Sequence, residues 1–276
     1  MHGPVKESPL FFEGPASLLF GVLHEPVSGG PPRTPFVFCH PFAEEKLWAH
    51  RVFVTFGREL AARGHTVLRV DHRGNGDSAG DFTDYSVEGG VADIHSAMDL
   101  VRRRTGATAV GLLGLRFGAT LASLAAESRP DVALLVLWAP LVDGNQYMQE
   151  LLRSNLTTQM AIYREIRADR EALTKDLLAG GTANVDGYEL TQILFEQASA
   201  INLTRDVGRF RGPCLVVQVD RAEKARPRPE LDALRGRYAD ATGVMVQEDL
   251  FWKEIDTFYD RAPNLFATTL DWLEQR

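Results

Sequence analysis

The sequence predicts an α/β protein whose mostly parallel central sheet of about eight strands is flanked by helices and interrupted by a helical cap insertion. Strand-like and helical patterns alternate through residues 35–138, stop between residues 144 and 211, and resume with two apolar runs before a final helix. Such alternation favours right-handed crossovers and a parallel sheet covered on both faces. With 276 residues, 45% of them hydrophobic, the chain is long enough for one large core.

The first half of the chain supplies the elements in turn. Apolar residues alternate around Gly14 and Pro15 within residues 10–25, which predicts a hairpin. Short apolar runs of the buried type predict strands over residues 35–39, 66–70 and 132–138. Helical spacing of apolar residues predicts helices over residues 44–63 and 87–104.

Residues 144–211 carry amphipathic helical patterns alone, and we expect helices over residues 148–166, 170–178 and 188–200. An all-helical excursion between two strands is expected to lie over the carboxyl ends of the sheet, where ligands of open α/β sheets bind. The chain is therefore divided into a first core part (1–143), a cap (144–211) and a second core part (212–276). That last part is expected to hold strands over residues 213–219 and 243–247 and a helix over 263–274.

Composition and charge exclude several function classes. The net charge of −7 and the lack of a dense Lys/Arg face argue against a nucleic-acid partner. Cys39 and Cys214 lie in apolar runs without metal-ligand spacing, which predicts two buried thiols and neither a metal nor another cofactor. Residues 1–7 lack an apolar signal core, and no run reaches the roughly 18 apolar residues of a spanning helix. We expect a cytoplasmic protein without a membrane span.

Residues 110–125 run from an apolar strand through a turn flanked by Gly114 and Gly118 into a helix of small residues. This turn resembles the nucleophile elbow of the α/β-hydrolases, in which the apex residue is exposed on a sharp strand-to-helix turn. The apex residue here is Arg116, where an active serine hydrolase would have Ser. A guanidinium stays protonated and is no nucleophile.

Five fragments extend this resemblance over nearly the whole chain: His40-Pro-Phe-Ala-Glu-Glu45, Gly74-Asn-Gly-Asp-Ser-Ala-Gly-Asp81, Gly114-Leu-Arg-Phe-Gly118, Val185-Asp-Gly-Tyr188 and Phe251-Trp-Lys253. They follow the order expected for the α/β-hydrolase superfamily and look like the exosortase A system-associated hydrolases, in particular the hydrolase 2 group. That resemblance implies a bacterial protein linked to exopolysaccharide production and PEP-CTERM protein sorting. It implies no known reaction, because a fold alone does not fix function.

The catalytic triad expected of this fold is degenerate. In a serine hydrolase of this fold, the nucleophile comes first along the chain, the acid second and the histidine last. All seven histidines precede the elbow, and the loop expected to carry the base offers Trp252. The acid position remains as Asp220, with Asp143 as another candidate. Arg116, Asp220 and Trp252 are thus the degenerate triad positions, and we expect no Ser-triad catalysis.

A second Gly-x-Ser-x-Gly pattern lies at residues 76–80, around Ser78. It follows the wrong strand and runs into polar residues 81–84 and not into a helix. We therefore expect Ser78 to be part of a turn.

Arg116 at a helix N-terminus requires an anion, because both features are positive and an unpaired buried guanidinium is costly. One alternative is an internal carboxylate, Asp220 or Asp143. The other is an anionic ligand, a carboxylate or phosphate group, held by Arg116 and the backbone N–H of Phe117. The internal pair is favoured, because buried charges are usually satisfied by their own chain. Both can coexist, since arginine has five donors.

Further pocket residues follow from the loop after residue 39. Pro41 has no N–H, so a second oxyanion-hole donor has to come from Phe42. His40 is the best-placed imidazole, although a hydrogen bond to loop backbone is favoured over a catalytic role. The predicted pocket comprises His40, Phe42, Arg116, Phe117, Asp143, Asp220 and Trp252.

Three function classes remain. The first is a pseudo-enzyme that binds a small anionic or acyl ligand. The second is a hydrolase of an ester, thioester or glycan acyl group, with water activated by Asp220 or Glu248 and the substrate polarised by Arg116. The third is a scaffold whose cap or exposed aromatic loop docks on a partner, which would be another protein or a second copy of the chain. The absence of a nucleophile–base pair favours the first and third classes.

Overall fold

The computed structural model describes residues 4–27, 33–253 and 258–276, so residues 1–3 of the N-terminal segment considered above lie outside it. The strands are β1 (Val5–Glu13), β2 (Leu18–Pro26), β3 (Phe36–Cys39), β4 (Val67–Asp71), β5 (Val110–Leu115), β6 (Val132–Trp138), β7 (Thr182–Val185), β8 (Tyr188–Thr191), β9 (Pro213–Asp220) and β10 (Asp240–Gln247). The helices are α1 (Glu44–Ala62), α2 (Val87–Thr105), α3 (Phe117–Ala126), α4 (Gly144–Tyr163), α5 (Arg170–Leu178), α6 (Gln192–Ser199), α7 (Leu203–Asp206), α8 (Pro229–Arg235) and α9 (Pro263–Glu274).

Eight strands form the main sheet in the order β1-β2-β4-β3-β5-β6-β9-β10. The β1–β2 and β2–β4 pairs are antiparallel, and every other pair in this sheet is parallel. The predicted fold class, a mostly parallel sheet of eight strands flanked by helices, is confirmed. The carboxyl ends of the parallel strands therefore share one edge of the sheet, and the elbow follows β5 at that edge.

Strand β3 shows why both faces of the sheet are buried. Its side chains alternate between two hydrophobic clusters. Phe36 and Phe38 belong to the cluster formed with α1 and α9, whereas Val37 and Cys39 belong to the cluster formed with α2 and α3. All four are fully buried, so this strand carries the continuous apolar run that a central parallel strand requires.

The expectation that residues 144–211 are all helical is wrong. A two-stranded antiparallel sheet of β7 and β8 lies between α5 and α6, so the helix expected over residues 188–200 begins only at Gln192. Asp186 and Gly187 have φ of 51° and 91°. This left-handed pair is typical of a two-residue hairpin turn, for which Asp-Gly is a preferred sequence. Because of this turn, residues 188–191 form a strand and not the start of the helix that the apolar spacing predicts.

Helix α4 connects the segment between β6 and β9 to the sheet. Asp143 caps this helix by accepting the N–H of Gln146 at 2.9 Å, and the Tyr147 ring stacks on Phe117 of α3 at a centroid distance of 5.6 Å. The first turn of α4 therefore lies beside the elbow. No helix in the described part of the chain is long and apolar enough to cross a membrane.

Candidate functional site

Arg116 occupies the sharp turn between β5 and α3, with φ 54° and ψ −120°. A Cβ at Gly118 would overlap the carbonyl oxygen of Cys39, and one at Gly114 would lie 2.5 Å from the backbone of Ala119. Because neither position accepts a side chain, both glycines are required for α3 to pack this closely on β5 and β3. The backbone is that of a nucleophile elbow, with arginine at its apex.

The partner of Arg116 is Glu45, in the first turn of α1. Arg116 Nε donates to Glu45 Oε1 at 3.0 Å, and the two side chains are only 12% and 17% exposed. An internal carboxylate was expected, but the choice of Asp220 or Asp143 was wrong. Each of those carboxylates satisfies backbone instead: Asp143 caps α4, and Asp220 Oδ1 accepts the N–H of Ala222 at 3.0 Å.

Two aromatic rings flank the guanidinium. Arg116 Cζ lies 5.8 Å from the ring centroid of Tyr147 and 5.7 Å from that of Trp252, both within the range of cation–π attraction. The Tyr147 hydroxyl also donates to the second oxygen of Glu45 at 3.5 Å. Arg116 is thus held by one carboxylate and two rings, which fix the position of its charge.

Burial and charge act in opposite directions on this ion pair. Burial raises the pKa of Glu45 above its ordinary value of 4.5, although Arg116 and Lys253 favour the ionised form. Burial lowers the pKa of Arg116, but the charge of Glu45, the nearby Tyr147 and the hydrogen bond to Glu45 together outweigh it, so that the net pKa is raised. Burial also raises the pKa of Tyr147 well above its ordinary value. Arg116 and Tyr147 therefore remain protonated, and Glu45 is the group of the three closest to titrating.

A cavity of about 630 Å³ adjoins Arg116, and Arg116, Asp143 and Trp252 are among the residues that line it, whereas Asp220 is not. Its wall also contains two cations, Arg228 and Lys253, and two acids, Glu150 and Glu230. A volume in this range suits a small molecule. The mixed charge of the wall suits a ligand with one anionic group and a polar remainder better than a polyanion.

Trp252, which the sequence analysis expects at the position of the histidine base, lines the cavity beside Arg116. Its side chain is buried, with 3% of the residue exposed, and its indole ring meets Phe251 edge to face. The indole Nε1–H has no hydrogen-bond partner among the described residues. A buried donor without an acceptor is costly, so this group is available to an acceptor atom of a ligand.

The two N–H groups expected to form an oxyanion hole belong to Phe42 and Phe117. Their rings lie 5.9 Å apart, and both residues are buried. Neither backbone N–H donates to an acceptor within the described ranges. Both N–H groups are therefore available to an acceptor, and that of Phe117 belongs to the N-terminus of α3. Neither residue lines the cavity of about 630 Å³.

The placement of His40 in the ligand pocket is wrong. Its ring stacks on Phe53 of α1 at 4.7 Å, and it lines a separate cavity of about 10 Å³ together with Phe42 and His72. The expected backbone hydrogen bond is not seen either, since Nδ1 has no partner among the residues described. Burial lowers the pKa of His40 well below its ordinary value, so the imidazole is neutral at physiological pH. His40 lies outside the cavity that Arg116 lines.

Ser78 is part of a turn, as expected. Its Oγ donates to the carbonyl of Asp71 at 2.5 Å and accepts the N–H of Phe20 at 2.8 Å. The first bond ties the loop to the end of β4, and the second ties it to β2. A hydroxyl engaged in this way is structural, which removes the second Gly-x-Ser-x-Gly pattern as a nucleophile.

Glu45 and Tyr147 are the site residues that the sequence analysis missed. The signal for Glu45 was present, since two acids open α1 directly after β3, and β3 lies beside β5 in the sheet. Residues that follow neighbouring parallel strands meet at the same edge. No comparable pattern marks Tyr147. In the described part of the chain, no group of three or more His, Cys, Asp or Glu side chains could hold a metal ion.

Comparison with known proteins identifies the fold family. The family model described as serine aminopeptidase, S33 (Hydrolase_4) matches residues 30–216. The uncharacterized protein RP471 of Rickettsia prowazekii is 30% identical over 135 residues, which are 49% of this chain and 56% of that protein. Human protein ABHD12B is 32% identical over 144 residues, which are 51% of this chain and 38% of that protein. The matches thus span about half or less of each relative's length.

Among solved structures, Est1E from Butyrivibrio proteoclasticus with ferulic acid bound has a TM-score of 0.67 and 17% sequence identity. The match covers 96% of each chain. At this level of identity the likeness shows the fold alone, because α/β-hydrolase scaffolds carry many different functions.

Proposed function

Because the chain belongs to the serine aminopeptidase S33 family of α/β-hydrolases, we propose that it keeps the family scaffold as a binding site for a small anionic or acyl ligand and does not perform serine hydrolysis. The observation that carries this proposal is Arg116, held at the apex of an intact nucleophile elbow. A strained turn that presents a permanent cation to a cavity suits recognition of an anion and not attack on an ester.

The donors around Arg116 support an acidic group as the recognised part of the ligand. Only Nε of Arg116 is engaged by Glu45, and the terminal nitrogens have no acceptor among the described residues. The indole N–H of Trp252 likewise lacks a partner there. A carboxylate, sulfonate or phosphate oxygen placed between them would accept charge-assisted hydrogen bonds. Residues 144–211 would act as the cap over this site.

The alternative, hydrolysis by an activated water, loses the acids on which it depended. Glu248 Oε2 accepts the N–H of Asn264 at 2.9 Å and so caps α9, and Asp220 accepts the N–H of Ala222. Neither acid contacts Arg116. These roles favour binding over water activation, since a general base must reach the proton that it removes.

The test combines an activity screen with a binding assay. We expect no turnover of short-chain p-nitrophenyl esters and no labelling by a fluorophosphonate probe, whereas ferulate, chosen because Est1E holds ferulic acid, binds in a calorimetric titration. The uncharged amide of ferulic acid is the matched control and binds at least tenfold more weakly. Arg116→Gln abolishes the difference between acid and amide. Saturable ester hydrolysis abolished by Arg116→Ala would instead establish the hydrolase alternative.

A second candidate function, docking of a partner through residues 144–211, is favoured by exposed apolar side chains at the end of α4. Ile162 is 65% exposed and Ile166 is 51% exposed. Replacing both with Glu would abolish self-association seen in sedimentation equilibrium if this face binds a second copy. An unchanged mass in the monomer range for both proteins would contradict it.

The link to exopolysaccharide production and PEP-CTERM sorting is proposed on the five sequence fragments alone. In a host that produces such a polysaccharide, deletion of the gene is expected to reduce the surface polysaccharide, and Arg116→Gln to reproduce the deletion. An unaltered polysaccharide in the deletion strain would contradict the link.

A further inference from the structure

Arg116 lines the cavity, whereas Glu45 contacts Arg116 without lining the cavity itself, and the contact between the two is one-sided. The bond runs from Nε of Arg116 to Oε1 of Glu45 at 3.0 Å, which leaves the far side of the guanidinium to a ligand. An anion bound there would lie within the width of one guanidinium of the Glu45 carboxylate. Two negative groups would then share one cation in a site that is largely closed to water.

We infer that Glu45 is the proton-accepting counter-ion of the ligand site, an inference that rests on the proposed function. Glu45 balances Arg116 in this structure, and it takes up one proton from solvent when an anionic ligand shares the guanidinium. The step forms one O–H bond on the carboxylate and breaks none within the protein. Ligand binding is thereby coupled to pH through a residue that need not touch the ligand.

The groups that face Glu45 make it the member of the cluster that titrates. Arg116 comes from the elbow, Lys253 from the loop after β10, and Tyr147 from α4. Glu150, also on α4, acts on Arg116. Arg116 and Tyr147 keep their protons, because the pKa of each is raised. Burial has already raised the pKa of Glu45, so a nearby anion shifts it further in the same direction.

The sign of the pH effect follows from proton uptake. A complex that holds one more proton than its separated components becomes tighter as pH falls. The change approaches tenfold in Kd per pH unit between the pKa of Glu45 in the free protein, which lies above 4.5, and its higher pKa in the complex. Outside that window the affinity is constant.

The experiment uses benzenesulfonate, whose charge does not change over the pH range used, and the uncharged benzenesulfonamide as its matched control. Titration calorimetry of the whole chain near neutral pH, in buffers of different ionisation enthalpy, gives the number of protons taken up. We expect a value approaching about one proton for benzenesulfonate and zero for benzenesulfonamide. In titrations run at successively lower pH, Kd for benzenesulfonate is expected to decrease as the pH is lowered.

Two variants locate the proton. Glu45→Gln is expected to abolish the uptake and to make Kd independent of pH, while it still binds benzenesulfonate. Glu44→Gln is the matched control, because Glu44 stands on the same helical turn and accepts the indole N–H of Trp48 at 3.2 Å. It is expected to retain the uptake.

The outcomes separate this inference from the proposed function. Binding of benzenesulfonate without proton uptake, or with uptake that survives in Glu45→Gln, overturns the role of Glu45 and leaves anion binding intact. No binding to the unmodified protein, or binding unaffected by Arg116→Gln, overturns both. The buffer series on the unmodified protein stands even if Glu45→Gln does not fold, which far-ultraviolet circular dichroism would reveal.

Discussion

Arg116 Nε and Glu45 Oε1 lie 3.0 Å apart, and their hydrogen bond joins the turn after β5 to the first turn of α1, the helix that follows β3. Both elements follow strands that are direct neighbours in the sheet. Ala43, the N-cap of α1, has φ 50° and ψ −129°, nearly the same values as Arg116. Two strained turns at adjacent strand ends thus place opposite charges against each other, and the ion pair helps to hold both in place.

The first prediction concerns the strength of this pair. In a double-mutant cycle of Glu45→Gln and Arg116→Gln, we expect a coupling free energy of about 1–3 kcal/mol in urea unfolding, because both side chains are largely buried. Arg167 and Glu165 provide the control pair. They lie 3.1 Å apart but are 57% and 64% exposed, so their coupling should be near zero. Equal coupling in the two pairs would contradict a special role of Arg116 and Glu45.

The sequence could predict that Arg116 needs an anionic partner but not which residue supplies it. Its need for an anion follows from residue type and turn position alone. The order of strands in space decides against Asp220, because β9 does not lie beside β5, whereas β3, which precedes Glu45, does. It does not decide against Asp143, which follows β6, the other neighbour of β5. Asp143 and Asp220 were expected to pair with it because the family pattern has its acid there. In the structure their carboxylates are taken by backbone N–H groups.

Helices and strands were predicted correctly where the local sequence carries a single pattern, and incorrectly where it carries two. Residues 132–138 form a short, continuous apolar run that is typical of a buried strand, and β6 has these bounds. Residues 188–200 mix two patterns, since Tyr188–Thr191 alternates as a strand and Gln192–Ser199 has helical spacing. The deciding signal was local turn chemistry at Asp186 and Gly187. Apolar periodicity alone does not contain it.

The second prediction tests the elbow backbone. Gly118→Ala is expected to destabilise the protein by about 3 kcal/mol or more, because the added methyl group overlaps the Cys39 carbonyl and α3 must move away from β3. Gly236→Ala is the control, since its nearest contact would be an ordinary 3.4 Å. Thermal unfolding monitored by circular dichroism measures both. A similar melting temperature for the two variants would show that the close approach at the elbow is not required.

The third prediction concerns acid sensitivity and rests on a buried histidine away from the ligand site. His24 Nδ1 lies 2.9 Å from Glu7 Oε1, and Arg69 Nε donates to His24 Nε2 at 2.9 Å. The ring must therefore be neutral to accept from Arg69. Burial lowers its pKa from 6.5 to about 4, with the charge of Arg69 acting in the same direction.

In the unfolded chain His24 takes up its proton near pH 6.5, whereas the folded protein resists until about pH 4. The contribution of His24 to stability is therefore complete above pH 6.5 and is lost as pH falls towards 4. Between about pH 7.5 and pH 5 the loss amounts to roughly 2 kcal/mol. Urea unfolding at the two pH values should show this difference, and His24→Gln should show a loss smaller by that amount. Parallel pH profiles for the two proteins would contradict it.

The last prediction asks whether the elbow can still support a nucleophile. Arg116→Ser introduces a hydroxyl at the apex, and Trp252→His introduces an imidazole at a position whose present ring lies 5.7 Å from Arg116 Cζ. The N–H groups of Phe42 and Phe117 have no acceptor within the described ranges and are available to an oxyanion. We expect the double variant to react with a fluorophosphonate probe at least about tenfold faster than either single variant, because a serine hydroxyl needs an adjacent base. Arg116→Ser combined with Trp252→Phe removes the ring's polar donor without adding a base and should react no faster than Arg116→Ser alone. If the single Arg116→Ser variant already reacted as fast as the double variant, another group in the cavity would be acting as the base, and a histidine at residue 252 would not be needed for reaction at the elbow.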